Sequence, residues 1–182
     1  MVRRVGAFAA LVAVCAAAPL SSFGAQRLPA EYAVKAAFLY QFGNFVTWPE
    51  GESPAFRICV MGLDPFGPEL EGVLRRAAPI DGRPVVGRRV LGTRDAGECE
   101  ILFVSPSEQR RFGEILEVVP AGILTVGEGA AFLTEGGMLA FEIENDRVRF
   151  DVDLAATREA GLQISSQLLG VARRVLNAPE EP

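Results

Sequence analysis

Cys59 and Cys99 stand 40 residues apart, with no CxxC turn to stabilise a thiolate, so a structural pair suits them better than a thiol redox centre. The chain contains no histidine, which removes histidine triads, histidine general bases and histidine metal sites together. Glu142, Glu144, Asp146, Asp151 and Asp153 lie close in sequence, but their spacing fits no EF-hand loop. Alternating acids on a hairpin usually mark its wet side, so they read as solvated surface rather than as a calcium or glycosidase site. Gly127-Glu128-Gly129 carries half of a dinucleotide fingerprint, with the third glycine missing and a glutamate where a pyrophosphate would sit. Gly62 to Gly67 lacks the GKS or GKT ending of a phosphate loop. No catalytic residue, metal ligand set or cofactor site emerges.

The compartment decides what the two cysteines do. Residues 1–24 hold Arg3 and Arg4, an apolar run from Val5 to about Leu20, and small residues at Ser22 and Gly24, the pattern of a secretory signal peptide cut after Gly24, with a cut after Ala25 as the alternative. The run is short for a membrane span. Cleavage removes Cys15 and leaves 16 basic residues against 23 acidic ones, a net charge of −7. An acidic chain without a basic cluster is a poor binder of nucleic acid. Arg110-Arg111 and Arg173-Arg174 read as short pairs on solvated helix faces.

The elements that position the cysteines follow from the apolar periodicity. A core helix is expected between Pro29 and Trp48-Pro49, with Val34, Phe38, Phe42, Phe45 and Val46 on its inner face and Lys35 interrupting it. Strands are expected at 56–61, 83–91, 101–105 and 122–126. Helices are expected in DPFGPELEGVLRRA, with Leu70, Val73 and Leu74 inward, and in SEQRRFGEILEVV, capped by Ser105 or Ser107. Met138 to Ile143 and Val148 to Val152 read as a hairpin turning at Glu144-Asn145-Asp146. A last helix after Ser165-Ser166 would bury Leu168, Leu169, Ala172, Val175 and Leu176. This order predicts one compact α/β domain over residues 25–182. A mixed sheet is flanked by helices, and a C-terminal hairpin near one end of the sheet is followed by a final helix.

In that order Cys59 lies on the first strand and Cys99 just before the strand at 101, which the topology can bring alongside. Export to an oxidising compartment favours a bridge, with two buried free thiols as the alternative.

Five blocks in sequence, YAVKAAFLYQFGNFVTWP, FRICVMGLDPFG, CEILFVS, LTVGEGAAFLTEGGMLAF and VRFDVDLAATREAGLQISSQLLGVARRV, resemble the signature segments of the YfiR/HmsC family of periplasmic proteins. The resemblance implies a compact α/β fold and a non-enzymatic, periplasmic role: binding the periplasmic region of an inner-membrane diguanylate cyclase, or a similar membrane sensor, and repressing it to limit cyclic di-GMP and biofilm. It matches Cys59 and Cys99 to the family's disulfide pair. A second pair found in some members is absent from the FLTEGGMLAF region. It names no interface residue. Trp48, at the end of the first helix, is the one candidate contact, against a competing role as a plug on the core. Homodimerisation is compatible with it. The alternative from another class is a periplasmic small-molecule binding module, with its pocket near Gly62 to Phe66 and Ser105 to Ser107 at the carboxyl ends of the strands.

Overall fold

A computed structural model describes residues 27–49 and 53–178, so the expected signal peptide and Cys15 lie outside the described residues. The first helix, α1 (Arg27–Phe45), runs into a two-residue strand β1 (Val46–Thr47). There follow β2 (Phe56–Met61), α2 (Pro68–Leu74), β3 (Val85–Val90), α3 (Thr93–Ala96) and β4 (Ile101–Val104). A 3₁₀ turn (Pro106–Arg111) leads into α4 (Phe112–Val118), β5 (Leu124–Glu128) and α5 (Ala130–Thr134). The hairpin β6 (Leu139–Glu144) and β7 (Arg147–Asp153) precedes α6 (Leu154–Glu159), β8 (Gln163–Ile164), α7 (Ser166–Val171) and β9 (Arg174–Leu176).

Seven strands form one mixed sheet in the order β3-β2-β4-β5-β6-β7-β9, and β1 pairs with β8 in a separate ribbon. The pairs from β3 through β6 are parallel, β6 and β7 are antiparallel, and β9 returns parallel to β7. Right-handed crossovers then fix the layers. The step from β2 outward to β3 places α2 on one face, where Leu70 and Leu74 join the core cluster that also takes Leu39 and Phe42 of α1. The steps from β3 to β6 run the other way and place α3, α4 and α5 on the opposite face, with Ala96, Phe112, Ile115 and Phe132 in a second cluster. The result is three layers, with ILFV of β4 buried on both faces.

Aromatic rings join α1 to the sheet. Phe42 lies edge-on to Phe150 at 5.0 Å and stacks on Phe141 at 5.7 Å, while Phe66 meets Phe103 edge-on at 4.8 Å. On the other face, Phe132 packs edge-on to Phe112 at 5.0 Å. Its ring fills the space where side chains at Gly127 and Gly137 would stand, so those glycines in the LTVGEGAAFLTEGG block serve close packing. With the ring hemmed in from both sides, Gly127→Ala should cost about 1–3 kcal/mol, the usual range for an overpacked core. Urea unfolding measures it, and a loss below the error of the midpoint would refute the packing role.

Three segments differ from the sequence reading. Val46 leaves the helix for β1, because the carbonyl of Phe45 accepts the N–H of Ser165 and the next residues pair with β8. On α1 it is Lys35, with 1 % of its surface exposed, that faces inward, and Val34, at 45 %, that faces out. The last helix starts as expected, with Ser165 Oγ accepting the N–H of Leu168, but it stops at Val171. Arg174–Leu176 continues instead as the edge strand β9, which leaves Val175 exposed and only Leu168 of the expected stripe fully buried.

Candidate functional site

The sheet brings the two cysteines together. Cys59 sits in the middle of β2, whose residues 58–61 pair in parallel with 101–104 of β4, and Cys99 enters β4 from α3. Their Cα atoms are 6.0 Å apart and the side chains are joined as a disulfide. Both are buried, at 0 % and 5 %, in the cluster between the sheet and α3 to α5. A bridge placed there ties the segment carrying α2 and β3 to the sheet. It is enclosed in hydrocarbon, away from thiol reagents, which fits a structural pair rather than an exchanging one.

A cluster of charges missed in the sequence lies at the carboxyl end of β5. Lys35 Nζ bonds Glu31 Oε1 at 2.5 Å and Glu128 Oε2 at 2.7 Å, and it stands 4.4 Å from the centre of the Tyr32 ring. Tyr32 donates its hydroxyl to Glu128 Oε1 at 2.9 Å. Burial, and then the charge of Glu128, push the Tyr32 hydroxyl far above its usual titration range, so it stays a donor. The glutamate of Gly127-Glu128-Gly129 therefore anchors α1 to the sheet. Lys35 is the single lysine in the chain, and a lone cation inside an apolar helix face was the one available signal.

A second ionic group corrects the reading of the acids and of Arg173-Arg174 as solvated surface. Asp151 is fully buried on β7. Arg173 Nε and Nη2 donate to its two oxygens at 2.7 and 2.6 Å, and Arg174 Nη2 reaches Oδ2 at 2.5 Å. Burial raises the carboxyl, and the guanidinium hydrogen bonds outweigh it, so Asp151 titrates below the usual aspartate range. Asp153 caps α6 through the N–H of Ala156 and accepts from Asn177. Glu144 and Asp146, by contrast, lie exposed at the hairpin tip. Among the described residues no group of acids and cysteines is arranged to hold a metal.

The strand ends near Gly62 to Phe66 and Ser105 to Ser107 do adjoin where the connections part to opposite faces, the usual crevice of an α/β sheet. Their polar groups satisfy one another. Ser107 Oγ accepts the N–H of Leu63 and lies 3.3 Å from Ser105 Oγ, and Asp64 accepts the N–H of Phe66 and binds Arg89. Beside this crevice a cavity of about 470 Å³ opens under the 3₁₀ turn, with Met61, Val90 and Ile115 as its floor. Trp48 packs edge-on to Phe56 at 5.2 Å and donates its indole N–H to the Gly43 carbonyl, with part of its ring left exposed.

The profile of the YfiR/HmsC-like family matches residues 32–173, from the Tyr32 of the buried ionic cluster to the Arg173 that holds Asp151. The chain belongs to the YfiR/HmsC-like family. For a YfiR/HmsC-like protein, membership supports a periplasmic, non-catalytic regulator of diguanylate cyclase activity at the level of the family. The buried bridge fits that setting, and among the described residues no helix is long and apolar enough to cross a membrane. Two solved structures share the fold. One is a conserved domain protein from Vibrio cholerae, with a TM-score of 0.52 at 9 % identity, over 79 % of this chain and 60 % of that one. The other is an ABC domain from Streptococcus pneumoniae in complex with L-Trp, with a TM-score of 0.55 at 9 % identity, over 80 % of this chain and 60 % of the other. The YfiR/HmsC-like chain thus spans three fifths of each of these proteins, and the likeness concerns architecture alone.

Proposed function

We propose that this protein is exported by the signal peptide at 1–24 and acts in the periplasm as a non-enzymatic repressor. It binds the periplasmic region of an inner-membrane diguanylate cyclase and holds the enzyme inactive. The family match over residues 32–173 carries this reading. The role requires no catalytic group. A repressor has only to bind the inactive state of its target more tightly than the active one, and about 5.5 kcal/mol of differential affinity moves a 1:99 equilibrium to 99:1. A rigid scaffold suits that task, since a surface held in place by a bridged core and two buried ionic clusters loses little entropy on docking.

Intracellular cyclic di-GMP in a clean deletion strain tests the reading. The level is expected to rise and to return to normal when the wild-type gene is restored. An unchanged level in a strain shown to express the cyclase overturns repression and turns attention to ligand binding at the strand ends.

A further inference from the structure

The edge strand β9 has only three residues, and the chain continues past it. Leu176, its last residue, is in register with Asp153, the cap of α6. Asn177 then turns with a left-handed φ of 50° and donates its side-chain amide to Asp153 Oδ2 at 2.6 Å, so the chain leaves the sheet against the start of α6. The sequence continues as Ala-Pro-Glu-Glu-Pro, of which residues 179–182 lie outside the described residues. A cavity of about 450 Å³ opens beside α6, with Leu154, Arg158, Leu162, Gln163 and Leu169 among its walls. Among the described residues Arg158 is the one charged group in that lining, and it is exposed and forms no ion pair.

We propose that residues 179–182 fold back along α6 as a strap, with Glu180 and Glu181 on Arg158, closing this cavity and tying β9 to the sheet from its far side. Three observations select the chain's own segment as the occupant. The first is where the strand ends, since Asn177 is already fixed to the cap of α6 and Leu154 and Arg158 stand one turn apart on one face of that helix. The second is reach. Arg158 lies about 7.5 Å along α6 from Asp153 at 1.5 Å per residue. Three to four extended residues after Asn177 span about 10–14 Å, which brings Glu180 and Glu181 alongside it. The third is charge. The cavity presents a lone guanidinium, and the segment presents two adjacent carboxylates; Glu159, the acid next to Arg158, does not line the cavity. Pro179 suits the role because it holds Ala178 extended and cannot donate to a longer β9 ladder. The short edge strand is then pinned on both sides, by Arg173 and Arg174 on Asp151 and by the strap on Arg158.

NMR relaxation of the full mature chain tests the strap. The backbone order parameters of Glu180 and Glu181 should exceed about 0.6 in the wild type, the level that separates held from freely moving backbone, and should fall below it in Arg158→Gln. Arg158 also sits in the last turn of α6, where a cation favours the helix on its own. Glu180→Gln with Glu181→Gln separates the two roles, because it leaves Arg158 and its helix untouched and should release residues 180 and 181 to the same extent. Amide exchange in β9 should quicken about two- to five-fold in either variant, as the loss of an exposed ion pair allows. The charge-swapped chain, Arg158→Glu with Glu180→Lys and Glu181→Lys, should recover both signals. Order parameters already below about 0.6 in the wild type, or high ones that neither variant lowers, would overturn the strap. Loss of order at 180 and 181 with unchanged exchange in β9 would overturn the tie to the sheet edge.

Discussion

Replacing Cys59 and Cys99 together by alanine lowers the free energy of unfolding by about 3–4 kcal/mol, the chain-entropy value for a bridge that closes a loop of about 40 residues. That is a large share of the roughly 5–15 kcal/mol available to a domain. Alanine is the informative substitution. Both positions are buried, so serine would add the cost of a buried hydroxyl to that of the lost bridge. Reduction without substitution separates the remaining terms, because it keeps every packed atom and removes only the link. Urea unfolding of the oxidised, reduced and alanine forms should place the reduced form close to the alanine variant, with a larger m-value in both, since the unlinked denatured chain exposes more surface. Mature protein unfolded in urea and alkylated without reductant should gain no adduct, the unfolding being needed because both positions are buried. Two adducts would show free thiols, and a loss of unfolding free energy under about 1 kcal/mol would show that the segment between β2 and β4 is held by its packing alone.

The bridge was legible in sequence because it depends on strand order, and strand order depends on apolar runs. FRICVM, ILFV and LTV are short runs bounded by turns, and their assignment to buried parallel strands puts Cys59 beside the start of β4. The hairpin was equally plain. Asn145 and Asp146 take φ of 49° and 60°, the left-handed pair that a two-residue turn needs, and residues of this type tolerate it. What escaped was polar and long-range. Lys35 finds Glu128 across 93 residues, and no periodicity argument anticipates a cation turned inward when an apolar valine stands beside it. Helical period alone chose Val34. The energetics of pairing a buried ammonium with two carboxylates chose Lys35. The same blindness hid β9. Arg173-Arg174 extends an apolar helical pattern on paper, but the buried carboxylate of Asp151, 22 residues earlier, captures both guanidiniums and pulls the chain into the sheet edge.

That capture sets the second large effect. Arg173→Ala with Arg174→Ala should destabilise the fold by about 3–5 kcal/mol, because it leaves a charge buried without a partner. Asp151→Asn should cost less. It strands two guanidiniums that are 22 % and 51 % exposed and can return to water. The order of the two losses, rather than their size, distinguishes a desolvated carboxylate from an ordinary surface pair. Acid gives an independent check. In the wild type the folded-state pKa of Asp151 is depressed, so its contribution is present above the unfolded value near 4 and is lost as pH falls through the lower folded value. Without its arginines, burial acts alone and raises the folded pKa, so the variant's penalty is full above that raised value and fades as protonation neutralises the buried charge. The stability gap between wild type and the double arginine variant should therefore be widest at neutral pH and narrow steadily toward pH 3. A gap that stays constant from pH 7 to pH 3 would mean that Asp151 remains hydrated once the arginines are gone, and that β9 is held at the sheet edge by its backbone pairing with β7 rather than by charge.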